Sequence, residues 1–351
     1  MSEAARSLYP WQLDAWQQIA RLRQRMPHAL LFFGPQGCGK SDFAQYLAKA
    51  LLCETPQDGG NQFGQAGHPC GKCASCTWFE LGNHPDYRLV RPEMLEDEPG
   101  EEAETDSKKS AKASKTPSKE IKIDQIRALA DFMNVSTHRQ GLRVVVLYPA
   151  EALNLMASNA LLKTLEEPPP ATVFLLVTHR VDRLLPTILS RCRQFALAMP
   201  DQAQSLVWLQ QQGVAGAAQW LAEQGGAPLL ALQMAQEGNR EELDWFLQQL
   251  MQPGIDGALK TAEKLAKVPL PTLLVWLQRW LYDLFSYKLA GKIRYYPQQQ
   301  KRIAELARQL DLTQLLHTLK LVNQRRAFVD HPLAPKLFIE DMLLDYSALY
   351  A

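Results

Sequence analysis

The stretch HALLFFGPQGCGKSDFAQYLAKALL, residues 28–52, decides the fold class. Ala29, Leu30, Leu31, Phe32 and Phe33 read as a strand buried on both faces. A glycine-rich turn follows, and then apolar residues at helical spacing over 40–52. Gly34-x-x-x-x-Gly39-Lys40-Ser41, with Gly37 inside it, matches the phosphate-loop pattern in full. Glycines let backbone N–H groups approach phosphate oxygens, and the helix start adds positive potential. Lys40 is the residue to reach the outer phosphates and Ser41 the one to hold magnesium. The candidate ligand is ATP or ADP with Mg2+, held weakly or without hydrolysis. The bland alternative is a turn kept for structure alone.

Such a loop normally works with a second strand that ends in an acidic residue. The best candidate lies in VVVLYPAEALN, residues 144–154, where Tyr148 and Pro149 follow the apolar run. Glu151 lies three residues beyond Tyr148 and serves only if the backbone bends back. Hydrolysis at this chain's own site is therefore not expected.

Further elements extend the pattern on both sides. DYRLVRP (86–92) and ATVFLLVT (171–178) read as strands, and 9–26, 121–134, 152–167 and 182–189 as helices. Alternating strands and helices predict a parallel sheet covered on both faces. The end of the stretch 158–195, past the short helix, reads as a polar corner. After Pro200 the strand patterns stop, and 202–351 read as helices broken near Gly225-Gly226, Pro253-Gly254 and Tyr296-Pro297. The expected division is an α/β domain over 1–198, a small helical domain over 199–245 and a larger helical bundle over 246–351.

Residues 53–87 are rich in cysteine, glycine and histidine, with little periodicity. Cys70-x2-Cys73-x2-Cys76 offers three soft ligands, and structural zinc takes four. Cys53, at the end of the phosphate-loop helix, is the best fourth, with His68 and His84 as rivals. The segment is too small to stabilise itself by burial, which is where a metal helps. Cys38 and Cys192 read as small buried residues.

Composition sets outer limits. The chain has 351 residues, 46% of them hydrophobic, which supports two or three domains with real cores. A net charge of +1 points neither toward nor away from nucleic acid. No apolar run has membrane-spanning length and the N-terminus lacks a signal-peptide core, so a cytoplasmic protein with reduced cysteines is expected. Residues 93–106 hold eight acidic residues and 108–119 hold five lysines. A segment of that composition cannot bury a core, so 93–119 is expected to be a disordered insertion.

Residues 158–195, SNALLKTLEEPPPATVFLLVTHRVDRLLPTILSRCRQF, carry the last cluster. Read plainly, Thr178 caps the next turn and Arg191 pairs with a carboxylate. Read together, SNALLKTLEEPP, SRC, the cysteine set, NHPDY (83–87) and IKIDQIRAL (121–129) resemble the AAA+ subunits of bacterial clamp loaders. The specific motifs cover about residues 9–200. The resemblance implies an AAA+ domain, a helical lid and a collar that joins a five-membered ring with gamma/tau motor subunits and the delta subunit. It implies action on the sliding clamp and primed DNA, as an accessory subunit of a DNA-directed DNA polymerase (nucleotidyltransferase) holoenzyme. Thr178 matches the residue that senses the γ-phosphate, and Arg191 the arginine offered in trans to a neighbour's ATP. Tyr148 and Pro149 stand where the motors carry aspartate and glutamate, and no arginine lies between Arg193 and Arg240, where the motors' lid has one. Two alternatives remain in view: an active motor ATPase of the same ring, and a phosphate-loop nucleotide kinase with a zinc lid. The aromatic helix at 273–289, with Trp276, Trp280 and Phe285, reads as a buried seam before it reads as a base-stacking platform.

Overall fold

The predicted first strand forms as β1 (Ala29–Phe33), and its side chains alternate between two cores. Leu30 and Phe32 enter a cluster with Trp16, Phe43 and Leu47, while Ala29 and Leu31 enter one with Leu161, Leu176 and Ile188. Full burial of each large apolar side chain contributes about 1.5–3 kcal/mol, so strands buried on both faces, as this one is, draw on nearly every residue. The computed structural model describes residues 7–22, 26–57, 67–95, 117–134, 137, 141–237, 240–326 and 334–350.

The chain divides into two units, Met1–Met199 and Pro200–Ala351. In the first, α1 (Leu13–Leu22) precedes β1, α2 (Lys40–Leu52) follows the glycine loop, and α3 (Ala74–Glu80) lies in the cysteine segment. Then come β2 (Tyr87–Val90), α4 (Ile123–Asn134), β3 (Arg143–Leu147), α5 (Leu155–Glu166), β4 (Thr172–Thr178), α6 (Pro186–Arg191) and β5 (Arg193–Ala196). All strands are parallel, in the order β2-β3-β4-β1-β5. Of the charged segment 93–119, residues 96–116 lie outside the described residues. At its base Glu93 accepts from Ser118 N–H at 3.0 Å and pairs with Lys122 at 2.8 Å.

The fifth strand corrects the reading of the end of 158–195 as a polar corner. β5 pairs with β1, Leu30 opposite Arg193 and Phe33 opposite Ala196. Arg193 and Gln194 are exposed, so an outermost strand hides its periodicity behind polar residues.

In the second unit all described regular structure is helical: α7 (Gln202–Gln211), α8 (Ala217–Glu223), α9 (Pro228–Glu237), α10 (Arg240–Leu250), α11 (Ile255–Lys264), α12 (Leu270–Ala290), α13 (Gln300–Gln309), α14 (Leu312–Arg325) and α15 (Pro335–Ala348). Its main core spans α10 to α15. Trp276 and Trp280 lie inside it, and Trp280 Nε1 donates to the Tyr346 hydroxyl at 2.9 Å. The aromatic helix is a packed seam, as its spacing suggested.

Candidate functional site

Ligand sites of parallel sheets form at the carboxyl ends of the strands, and the phosphate-loop residues gather there. Gly34 leaves β1 directly beneath Leu197: a Cβ at Gly34 would sit 2.1 Å from the Leu197 carbonyl oxygen. Gly39 has φ +82, and a Cβ there would lie 2.7 Å from the Tyr9 ring. Both positions thus exclude side chains by close approach of other parts of the chain, and Gly37 too has positive φ. The loop is clamped by a segment whose role its sequence did not reveal. Tyr9 and Trp11 stack at 4.9 Å, Trp11 Nε1 donates to Cys38 O at 2.9 Å, and Gln12 Nε2 donates to Gly39 O at 2.8 Å. The only signal lay in YPWQ itself, polar and aromatic groups ahead of the helical pattern.

Lys40 opens α2 and is 2% exposed. Its ammonium donates to the Pro35 carbonyl of its own loop, and burial lowers its pKa. Ser41 faces the Tyr148 phenol, whose hydroxyl lies 3.2 Å from His179 Nε2. Thr178 is opposite Phe33 at the end of β4, fully buried, and its hydroxyl accepts from Arg180 N–H at 3.0 Å. Lys40, Ser41 and Thr178 therefore converge on one strand-end site. The backbone does bend back after β3: the turn Ala150–Ala152 turns Glu151 so that its Oε1 accepts from His179 N–H at 2.9 Å. Its charge acts on Lys40, Tyr148 and His179.

Burial, reinforced by the Lys40 charge and opposed by Glu151, pushes the His179 imidazole down to about 4. The folded chain thus keeps His179 neutral where the unfolded chain protonates it. Between about pH 6.5 and pH 4 the unfolded state binds more protons, so this contribution to stability is present above the window and is lost as pH falls through it. The thermal midpoint should drop on going from neutral to mildly acidic buffer, and His179→Asn should flatten that dependence. An unchanged slope in the variant would rule out His179 as its source.

Arg191 is not in this cluster. It ends α6, and two residues later Arg193 pairs with Leu30 near the start of β1, at the opposite end of the strands from Gly34. Buried Ile188 and Cys192 anchor the corner on either side. The guanidinium, about a third exposed, pairs with Glu166 and donates to Thr187 O at 2.9 Å.

The four cysteines form a second site. The sulfurs of Cys53, Cys70, Cys73 and Cys76 all lie within 4.8 Å of one another. Cys53 to Cys73 is 3.9 Å and Cys70 to Cys76 is 4.0 Å, near the roughly 3.8 Å that tetrahedral geometry with 2.3 Å metal–sulfur bonds gives. Backbone amides point at the sulfurs: Lys72 and Cys73 N–H at Cys70, Cys70 N–H at Cys53, and Cys76 N–H at Cys73. The Thr55 hydroxyl, with the Lys72 and Cys73 amides, holds the Cys70 thiol down at about 5. Both histidine rivals are committed elsewhere. His68 Nδ1 lies 2.8 Å from the Tyr46 hydroxyl and its ring stacks on Trp16. His84 Nδ1 accepts from Asp86 N–H, so its Nε2 carries the proton and donates to Ser75 Oγ at 2.7 Å. Ser75 in turn donates to the Leu52 carbonyl, tying α3 to the end of α2. The set fits one four-coordinate metal ion.

Residues 11–201 match the family model described as DNA polymerase III, delta subunit, and residues 241–348 match the model of that subunit's C-terminal part. The subunit delta′ of DNA polymerase III from Pseudomonas aeruginosa is 37% identical, with 80% of this chain and 78% of that protein covered. The chain belongs to the delta-prime family of DNA polymerase III subunits. The delta-prime subunit of Yersinia pestis is 31% identical over 85% of this chain and 83% of its own length. The tau subunit of Escherichia coli is 36% identical over 51% of this chain and 23% of its own. The parallel sheet and its glycine loop lie within the residues matched to the delta subunit model. No described helix is long and apolar enough to cross a membrane.

Proposed function

We propose that this delta-prime chain is a non-hydrolysing cytoplasmic subunit of the clamp loader that donates Arg191 to the ATP site of a neighbouring motor subunit. The observation that carries the reading is the separation of Arg191 from the chain's own phosphate loop. A guanidinium anchored at the far end of the strands from Gly34 has no use at the cis site. Held at a rim by Ile188 and Cys192, it is available to a neighbour.

The cis site has the cradle of Gly34, Gly37, Gly39, Lys40 and Ser41, with Thr178 beside it, yet no carboxylate directly ends β3. It binds ATP or ADP with Mg2+ without turning it over. Cys53, Cys70, Cys73 and Cys76 bind one structural Zn2+, because four thiolates in tetrahedral array favour zinc and leave no open position. Residues 199–245 serve as the lid and 246–351 as the collar that assembles with gamma/tau and delta subunits into a heteropentamer. That ring places the sliding clamp on primed DNA. The buried core of α10 to α15 supports the collar assignment by giving that region its own stability.

Reconstitution tests the reading. Mixed with a gamma/tau motor and the delta subunit, the chain should restore clamp- and primed-DNA-dependent ATP hydrolysis, while alone it shows none above background. Hydrolysis by the isolated chain, abolished by Lys40→Ala, would instead make it a motor. Phosphoryl transfer to a nucleotide would make it a kinase.

A further inference from the structure

Two buried polar atoms beside Lys40 have no hydrogen-bond partner: Glu151 Oε2 and His179 Nδ1. A buried carboxylate oxygen without a donor is unfavourable, so it points to a ligand. Glu151 is half fixed: Oε1 is held by the His179 amide, and Oε2 is free. Its charge reaches Lys40 and the Tyr148 phenol that faces Ser41, so it addresses the same space as the phosphate loop.

The charge balance there is specific. Lys40 is the cation of the loop and is engaged by Pro35 O. A polyphosphate seated on the loop amides would draw Lys40 onto its oxygens and leave Glu151 facing a second anion. Neither the phenol of Tyr148 nor a neutral imidazole relieves that repulsion. A hydrated divalent ion does, since magnesium is held by one or two carboxylates together with substrate phosphates and keeps several waters. The orphaned Oε2, on a carboxylate already oriented by its other oxygen, suits that task.

We propose that Glu151 is the magnesium-positioning carboxylate of this phosphate site, acting from the turn beyond β3 in place of an acid at the strand end. The proposal rests on the reading of residues 34–41 as a nucleotide site. The competing account is that Glu151 only caps the turn at His179. That role needs Oε1 alone, and a glutamine carbonyl supplies it equally.

The test is titration of the full chain with N-methylanthraniloyl-ADP, in magnesium and in EDTA. Magnesium should tighten binding to the unaltered chain by about tenfold or more. Glu151→Gln should reduce that enhancement to less than about twofold, with affinity in EDTA equal to or better than that of the unaltered chain. Glu151→Asp, which keeps the charge, should keep most of the magnesium effect. Binding that is indifferent to magnesium, an undiminished enhancement in Glu151→Gln, or equal loss in both variants would overturn the proposal and leave the nucleotide reading standing. No binding in either buffer would overturn both.

Discussion

Arg191→Ala should assemble into the loader normally and cut ATP turnover at the site it serves by about 10³-fold or more. A guanidinium delivered across an interface neutralises charge that develops on the transferring phosphoryl group, so its loss falls on turnover and not on assembly. Removing it should cost the fold little. Its pairing with Glu166 is half-exposed, and such pairs contribute about 0–1 kcal/mol. Ile188 and Cys192 keep the corner in place without it. Arg191→Lys should recover little, because an ammonium lacks the planar fork that grips two phosphate oxygens. The measurement is steady-state ATPase and clamp loading by the reconstituted complex, with assembly checked by size. Wild-type loading by an assembled Ala variant would reduce Arg191 to a structural partner of Glu166.

Cys73→Ser should release the metal and loosen 53–87, with a loss of several kcal/mol of local stability. The cost is large because the four sulfurs join the end of α2 to α3 and to the bridge between Gln57 and His68. Without the ion, the Ser75 bond to the Leu52 carbonyl, the His68 ring on Trp16 and the Lys49–Glu80 pair at 2.6 Å remain as individual contacts. Elemental analysis should give about one zinc per chain before the substitution and none after it. Limited proteolysis should then cut within 53–87 and spare the core of α10 to α15, whose residues are contributed by the second unit alone. A metal-free variant with unchanged protection would show that the four sulfurs cluster without needing an ion.

The parts of both sites that sequence disclosed are those fixed by local spacing. The glycine loop is contiguous, three of the cysteines lie within seven residues, and β3 and β4 announce themselves as buried apolar runs. What stayed hidden depends on contacts distant in the chain. Glu151 could be assigned only once the turn after β3 brought it to His179, 28 residues on. Cys53, preferred over His68 and His84 for its place at the end of the phosphate-loop helix, does lie with the other three sulfurs, while those rings bond elsewhere. The clamp of Trp11 and Gln12 over Cys38 and Gly39 spans 26 or 27 residues. β5 was missed for a different reason: an outermost strand with a solvated face has no apolar signature to read.

That polar outermost strand has a consequence for the life of the free subunit. Among the described residues the sheet ends at β2 and at β5, each four residues long, and each presents an exposed arginine, Arg88 or Arg193. An unpaired strand edge is a template on which another polypeptide can aggregate, and short length and positive charge are what blunt it. Short length and an exposed arginine at each edge therefore guard this chain against pairing with copies of itself, and the residues that made β5 illegible supply part of that guard.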